Sequence, residues 1–135
     1  MVVHMATLYV GVIGDFVRSR QIAPQARSSL QRRLGRTLQQ INSHFAPSLA
    51  AKFLITIGDE FQGLLRNPVV IPDLVRELEM NLPDANMRLG IGKGDLYTDL
   101  GEYAIGMDGP VWHAARRALE DAKVSRRFGG VFVGF

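Results

Sequence analysis

The sequence contains no cysteine. Disulfides, thiolate metal ligands and a cysteine nucleophile are therefore excluded. It also lacks any apolar run near the ~20 residues that a helix needs to cross a bilayer. The opening segment MVVHMATLYV has no basic stretch leading into a long apolar one, so neither a membrane span nor a signal peptide is expected, and the expected location is the cytoplasm. A third absence is local: from residue 16 to residue 58, between Asp15 and Asp59, there is no acidic side chain. That stretch carries Arg18, Arg20, Arg27, Arg32, Arg33, Arg36 and Lys52, and two readings stand. One is a solvated helix face; the other is a positive rim that attracts phosphates or nucleic acid. What is present is ordinary globular usage, 47% apolar and 21% charged residues in a chain of 135, which suits one domain over residues 1–135.

The apolar pattern gives the elements. Thr7 to Ile13 is a near-continuous apolar run, as a central strand buried on both faces requires. A loop with Pro24 is expected next, and then Leu30, Leu34, Leu38, Ile41 and Phe45 mark one face of a long helix that Pro47 helps to end. Lys52 to Ile57 and Phe61 to Leu65 read as a hairpin around Gly58-Asp59-Glu60. Pro68 and Pro72 introduce a second helix with Ile71, Leu74, Val75, Leu78 and Leu82 on one face. Met87 to Ile91 reads as a fourth strand, followed by a glycine-broken turn, GKGDLYT. Pro110 opens a third helix carrying Val111, Trp112, Ala115, Leu119 and Ala122. The chain stops inside a last strand, VFVGF, which suggests that a C-terminal part is missing. The order β-α-β-β-α-β-α-β predicts an α+β fold, a ferredoxin-like split βαβ sandwich with helices on one face of a mainly antiparallel sheet. In that topology Asp15, at the end of the first strand, comes close to Asp59 in the hairpin turn.

Two carboxylates delivered at adjacent strand ends suit Mg²⁺ or Mn²⁺, which leave coordination positions for water and substrate phosphates. Gly-Asp is also a common turn dipeptide whose carboxylate bonds nearby backbone. Lys93 lies in a glycine-rich segment whose backbone could approach a phosphate, without the spacing of a P-loop. His113 is a candidate acid/base group, and Trp112 is either a stacking platform or core.

VIGDFVRSR, ITIGDEFQGLL, RLGIGKGDLYT and GMDGPVWHAARRAL, in that order, resemble the SatD family of small bacterial cytoplasmic proteins. The first-strand Asp, IGDEF, RLGIGKG and the helix ending AARR also resemble the palm of nucleotidyl cyclases, both class III enzymes and GGDEF domains. The resemblance implies that Asp15 and Asp59 hold metal, that Glu60 is a base or its structural partner, and that Arg116 stabilises a transition state. Gly14, Phe16, Gly58, Arg88, Lys93 and Trp112 are the candidate nucleotide contacts. A homodimer is implied as well, because such cyclases share sites between protomers. Some positions depart from the pattern. Trp112 stands where class III enzymes have asparagine, Ile55 where they have the adenine-reading lysine, and Ile57 where GGDEF has its first glycine. Asp15 is followed by Phe16-Val17 and not by a second Asp.

Three functions follow. The first is metal-dependent binding of a nucleotide or other phosphate-bearing ligand, with a nucleotidyl-transfer activity open, and it expects Asp15→Asn and Asp59→Asn both to abolish binding. The second is a regulatory domain that keeps the palm without turnover. The third is a nucleic-acid partner role resting on the acid-free stretch.

Overall fold

The computed structural model describes residues 7–17, 22–124 and the backbone of 131–134. Arg18 and Arg20, and the Gly129-Gly130 and Phe135 that flank the last strand, lie outside the described residues.

Alternation along YVGVIGDF decides what each face of the sheet receives. In β1 (Tyr9–Phe16), Val10, Val12 and Phe16 point one way, into a cluster with α1 (Pro24–His44) and α2 (Ile71–Asn81). Leu34, Leu38 and Ile41 of α1, with Leu74 and Leu78 of α2, fill that layer, and Leu82 beyond α2 joins them. Each such burial stabilises the fold by about 1.5–3 kcal/mol. Gly11 and Ile13 point the other way, toward α3 (Pro110–Val124). The sheet order is β2-β3-β1-β4-β5, in which the β2 (Leu49–Ile55)–β3 (Phe61–Leu65), β3–β1 and β1–β4 (Met87–Gly94) pairs are antiparallel. The last strand, β5 (Val131–Gly134), runs parallel to β4.

The first four strands with α1 and α2 form the expected ferredoxin-like unit, with β1 in the middle and β3 beside it. The expectation that all helices share one face is corrected: α3 crosses to the opposite face before β5 returns along β4. A parallel return requires such a crossover.

The glycine-rich segment explains how α3 fits. Residues 92–94 form no turn; β4 runs on to Gly94, pairing Gly92 with Gly11 and Lys93 with Val10. A Cβ on Gly90 would lie 2.2 Å from the carbonyl oxygen of Ala115, and one on Gly92 would lie 2.2 Å from the amide nitrogen of Ala115. The alternate glycines are thus a groove in the sheet that admits the α3 backbone. Other boundaries move for local reasons. Strand β1 continues through Asp15 and Phe16 because they pair with Arg88 and Met87. Pro24 is not in the expected loop but opens α1, where its missing N–H has no helical partner to lose. Strand β2 lies three residues earlier at its start than expected, and a bulge falls between its Ala51–Leu64 and Leu54–Gln62 pairs. The bulge leaves backbone groups of Lys52 and Phe53 without a β3 partner. The Asn42 side-chain amide takes those of Phe53, donating to its oxygen at 2.9 Å and accepting from its nitrogen at 2.8 Å. Segment 102–104 takes those of Lys52 as a parallel bridge.

Candidate functional site

The β1–β3 ladder runs to Gly14 opposite Phe61, and continuing that register sets Glu60 across from Asp15. Both then face α3. Arg116, the residue after Ala115 and one turn on from Trp112, donates to both carboxylate oxygens of Glu60, at 3.2 Å from Nη1 and at shorter range from Nη2. The hydrogen bond that Arg116 donates to Glu60 raises its pKa above the ordinary guanidinium value against the opposing desolvation, with the charges of Glu60, Glu120 and Asp15 adding to the rise.

Across the sheet, Asp15 is directly opposite Arg88 on β4. Arg88 Nε donates to Asp15 Oδ1 at 2.9 Å and Nη2 to Oδ2 at 3.1 Å, a bidentate pair with side chains only 20% and 13% exposed. Nη2 also reaches the Phe16 carbonyl at 3.4 Å. Lys123, from the last turn of α3, stands 3.7 Å from Asp15 Oδ2 and 3.1 Å from Glu120 Oε1. Lys123 was not among the sequence candidates; its spacing of seven from Arg116, two helical turns on, is the signal that would have placed it on the same face.

Asp59 sits in the hairpin turn, whose Gly58 has φ of +60° and whose Gly58 carbonyl is held by Gln31 of α1 at 2.8 Å. Its Oδ2 is buried and without a hydrogen-bond partner among the described residues. Beside it, Ile57 at the tip is 82% exposed. Among the described residues no three His, Asp or Glu side chains converge in a way that would hold a metal. Asp59 is left with one unsatisfied oxygen, whereas both oxygens of Asp15 already face a guanidinium and an ammonium.

The remaining candidates divide. Gly14 is packed so tightly that a Cβ would lie 2.3 Å from the Phe61 ring, and Phe16 is core, its ring 6.2 Å from that of Phe61. A hollow of about 400 Å³ opens beside Phe16, lined also by Ile22, Leu30, Arg33 and Asn86. The Trp112 ring lies in the layer between α3 and the sheet, 3.3 Å from where a Gly11 Cβ would be, with its Nε1 buried and unpartnered among the described residues. His113 is exposed, 3.3 Å from Asp108. Lys93 is exposed on β4 five residues from Arg88, about 17 Å along the strand, and does not join the site. In the acid-free stretch, Arg32 bonds Ser28, Arg33 reaches the Asn81 carbonyl and Lys52 pairs with Glu102, so these cations are engaged locally.

The model of the SatD family matches residues 9–134. Among curated proteins none matches this sequence. Solved structures that share the fold include the following three. The dimeric guanylyl cyclase domain of the RhoGC fusion protein from the aquatic fungus Blastocladiella emersonii is 15% identical with a TM-score of 0.57, over 95% of this chain and 79% of that one. A bacterial light-regulated adenylyl cyclase is 14% identical with a TM-score of 0.61, over 90% and 73%. A microbial GGDEF domain, solved for its interaction with cyclic di-GMP, is 21% identical with a TM-score of 0.55, over 93% and 76%.

Proposed function

This chain belongs to the SatD family, and on that footing we propose that it is a nucleotide-binding domain that takes its phosphate-bearing ligand together with one divalent cation, Mg²⁺ or Mn²⁺, without turning it over. The observation that carries this reading is the buried, unpartnered Oδ2 of Asp59 in the turn beside the Glu60–Arg116 pair. Charge bears on how the ligand is held. Asp15, Glu60 and Glu120 face Arg88, Arg116 and Lys123, three carboxylates against three cations, and the cations are already paired. Such a cluster does not attract a polyphosphate by itself; a divalent ion bound at Asp59 would supply the positive charge that its oxygens need. The bidentate hold of Glu60 on Arg116 favours binding without catalysis, since that guanidinium is engaged inside its own chain. The likeness to guanylyl cyclase and GGDEF domains suggests a guanine nucleotide as the first ligand to try, and the dimeric fungal domain suggests a homodimer. For nucleic acid, no observation adds to the charge pattern.

The test is a thermal-shift titration with GTP, ATP and cyclic di-GMP, each with and without Mg²⁺ or Mn²⁺. A ligand that binds only the folded chain raises the melting temperature as its concentration passes Kd. The expected result is a metal-dependent rise that Asp59→Asn removes. A rise of the same size without metal, or one that Asp59→Asn leaves intact, refutes the reading, and release of pyrophosphate would refute its non-catalytic part.

A further inference from the structure

The unusual feature of the site is what occupies Asp15. A carboxylate at the end of the central strand, 13% exposed, has both oxygens bonded by one arginine and a lysine within 4 Å of the second. The arrangement is built, not incidental. The ladder pairs Asp15 with Arg88 residue for residue, so the two side chains leave the same face of adjacent strands. The Gly90 and Gly92 groove brings α3 down onto β4, and α3 delivers Lys123 to the same carboxylate. Arg88 is fixed a third time by the Phe16 carbonyl. Two positive groups therefore stand where a divalent ion would have to approach Asp15, and like charges in a partly buried space repel with little screening.

We infer that Arg88, backed by Lys123, is the resident cation of Asp15, so that Asp15 ties β1, β4 and α3 together and the site takes one divalent ion where a pair of carboxylates would take two. Asp15 is a positioning residue, and the ion count is set by Arg88. This rests on the proposed nucleotide site only for the ion at Asp59; the statement about Asp15 stands apart from it.

The experiment counts Mn²⁺ bound per chain by the loss of the free-ion electron paramagnetic resonance signal, on the full chain with Mn²⁺ alone as the probe. Circular dichroism checks that each variant is folded. The wild type is expected to bind one ion and Asp15→Asn the same one. Arg88→Gln combined with Lys123→Gln, which frees Asp15 of both cations, is expected to gain one ion, and adding Asp15→Asn to lose that gain. If the wild type binds none while the double variant gains an ion that Asp15→Asn removes, the resident-cation inference stands and the Asp59 reading falls. Two ions in the wild type, a count that drops in folded Asp15→Asn, or an unchanged count in the folded double variant overturns it. Should the double variant fail to fold, the count of Asp15→Asn decides alone.

Discussion

Arg116 and Arg88 show how differently two arginine–carboxylate pairs behave on one site. Arg116 with Glu60 is nearly half exposed, 44% against 24%, and a pair so open to water contributes about 1 kcal/mol or less. Its raised pKa fixes the sign of its pH dependence. A cation whose folded value lies above its unfolded one stabilises the fold below the unfolded value and loses that contribution only as pH rises through the folded one. For a guanidinium both lie beyond the usual alkaline range. A lysine, whose unperturbed pKa is about 10.4, does not share that immunity. The melting temperature of Arg116→Lys is thus expected to sit close to the wild type at pH 8 and to fall further behind it toward pH 10.5; a constant gap across that range would show that the pair contributes nothing. Arg88 was legible in part from sequence. An arginine inside the apolar run MRLGIG must find an anion if its strand is buried, and the nearest acidic candidate by topology was Asp15. The motif instead directed attention to Asp15 and Asp59 as a metal pair, because a resemblance names residues by position and not by what neighbours them.

Among the elements, β4 and α3 carry the most consequence. GKGDLYT reads as a glycine-broken turn that could approach a phosphate, because glycine frees a backbone to come close to a ligand. Here the approaching backbone belongs to the protein's own helix. Periodicity alone could not distinguish these, since an alternate-glycine strand and a glycine-rich turn share a composition. Gly92→Ala is expected to destabilise the fold by about 1–3 kcal/mol or more in urea unfolding, because its Cβ meets main chain that cannot rotate aside. The loss is expected to exceed that of Gly35→Ala on α1, where a Cβ meets nothing within 4 Å and helix propensity improves. Equal stabilities for the two variants would show that α3 does not rest on the sheet as described. The other elements were readable from apolar spacing, with α2 and β3 found nearly to the residue, while β2 shifted because a bulge leaves no mark in a hydrophobic pattern.

The whole molecule is a sheet with two covered faces, and the order of its elements is written in the apolar pattern of the chain. What composition could not reveal is which face a helix takes, because α3 is amphipathic like α1 and α2 and only the glycines opposite it show where it lands. At its β2 margin the sheet is closed by pieces from elsewhere: the Asn42 amide on Phe53 and segment 102–104 on Lys52. Asn42→Ala is expected to lower stability by about 1–3 kcal/mol, since it strands both backbone groups of Phe53, and hydrogen exchange of the Phe53 amide is expected to accelerate with it. Unchanged exchange there would mean that the bulge is held otherwise. The same closure has a consequence for crowding. Lateral recruitment of another chain's strand meets an obstacle at this bulge, because the outward backbone groups of Lys52 and Phe53 are already bonded within the chain.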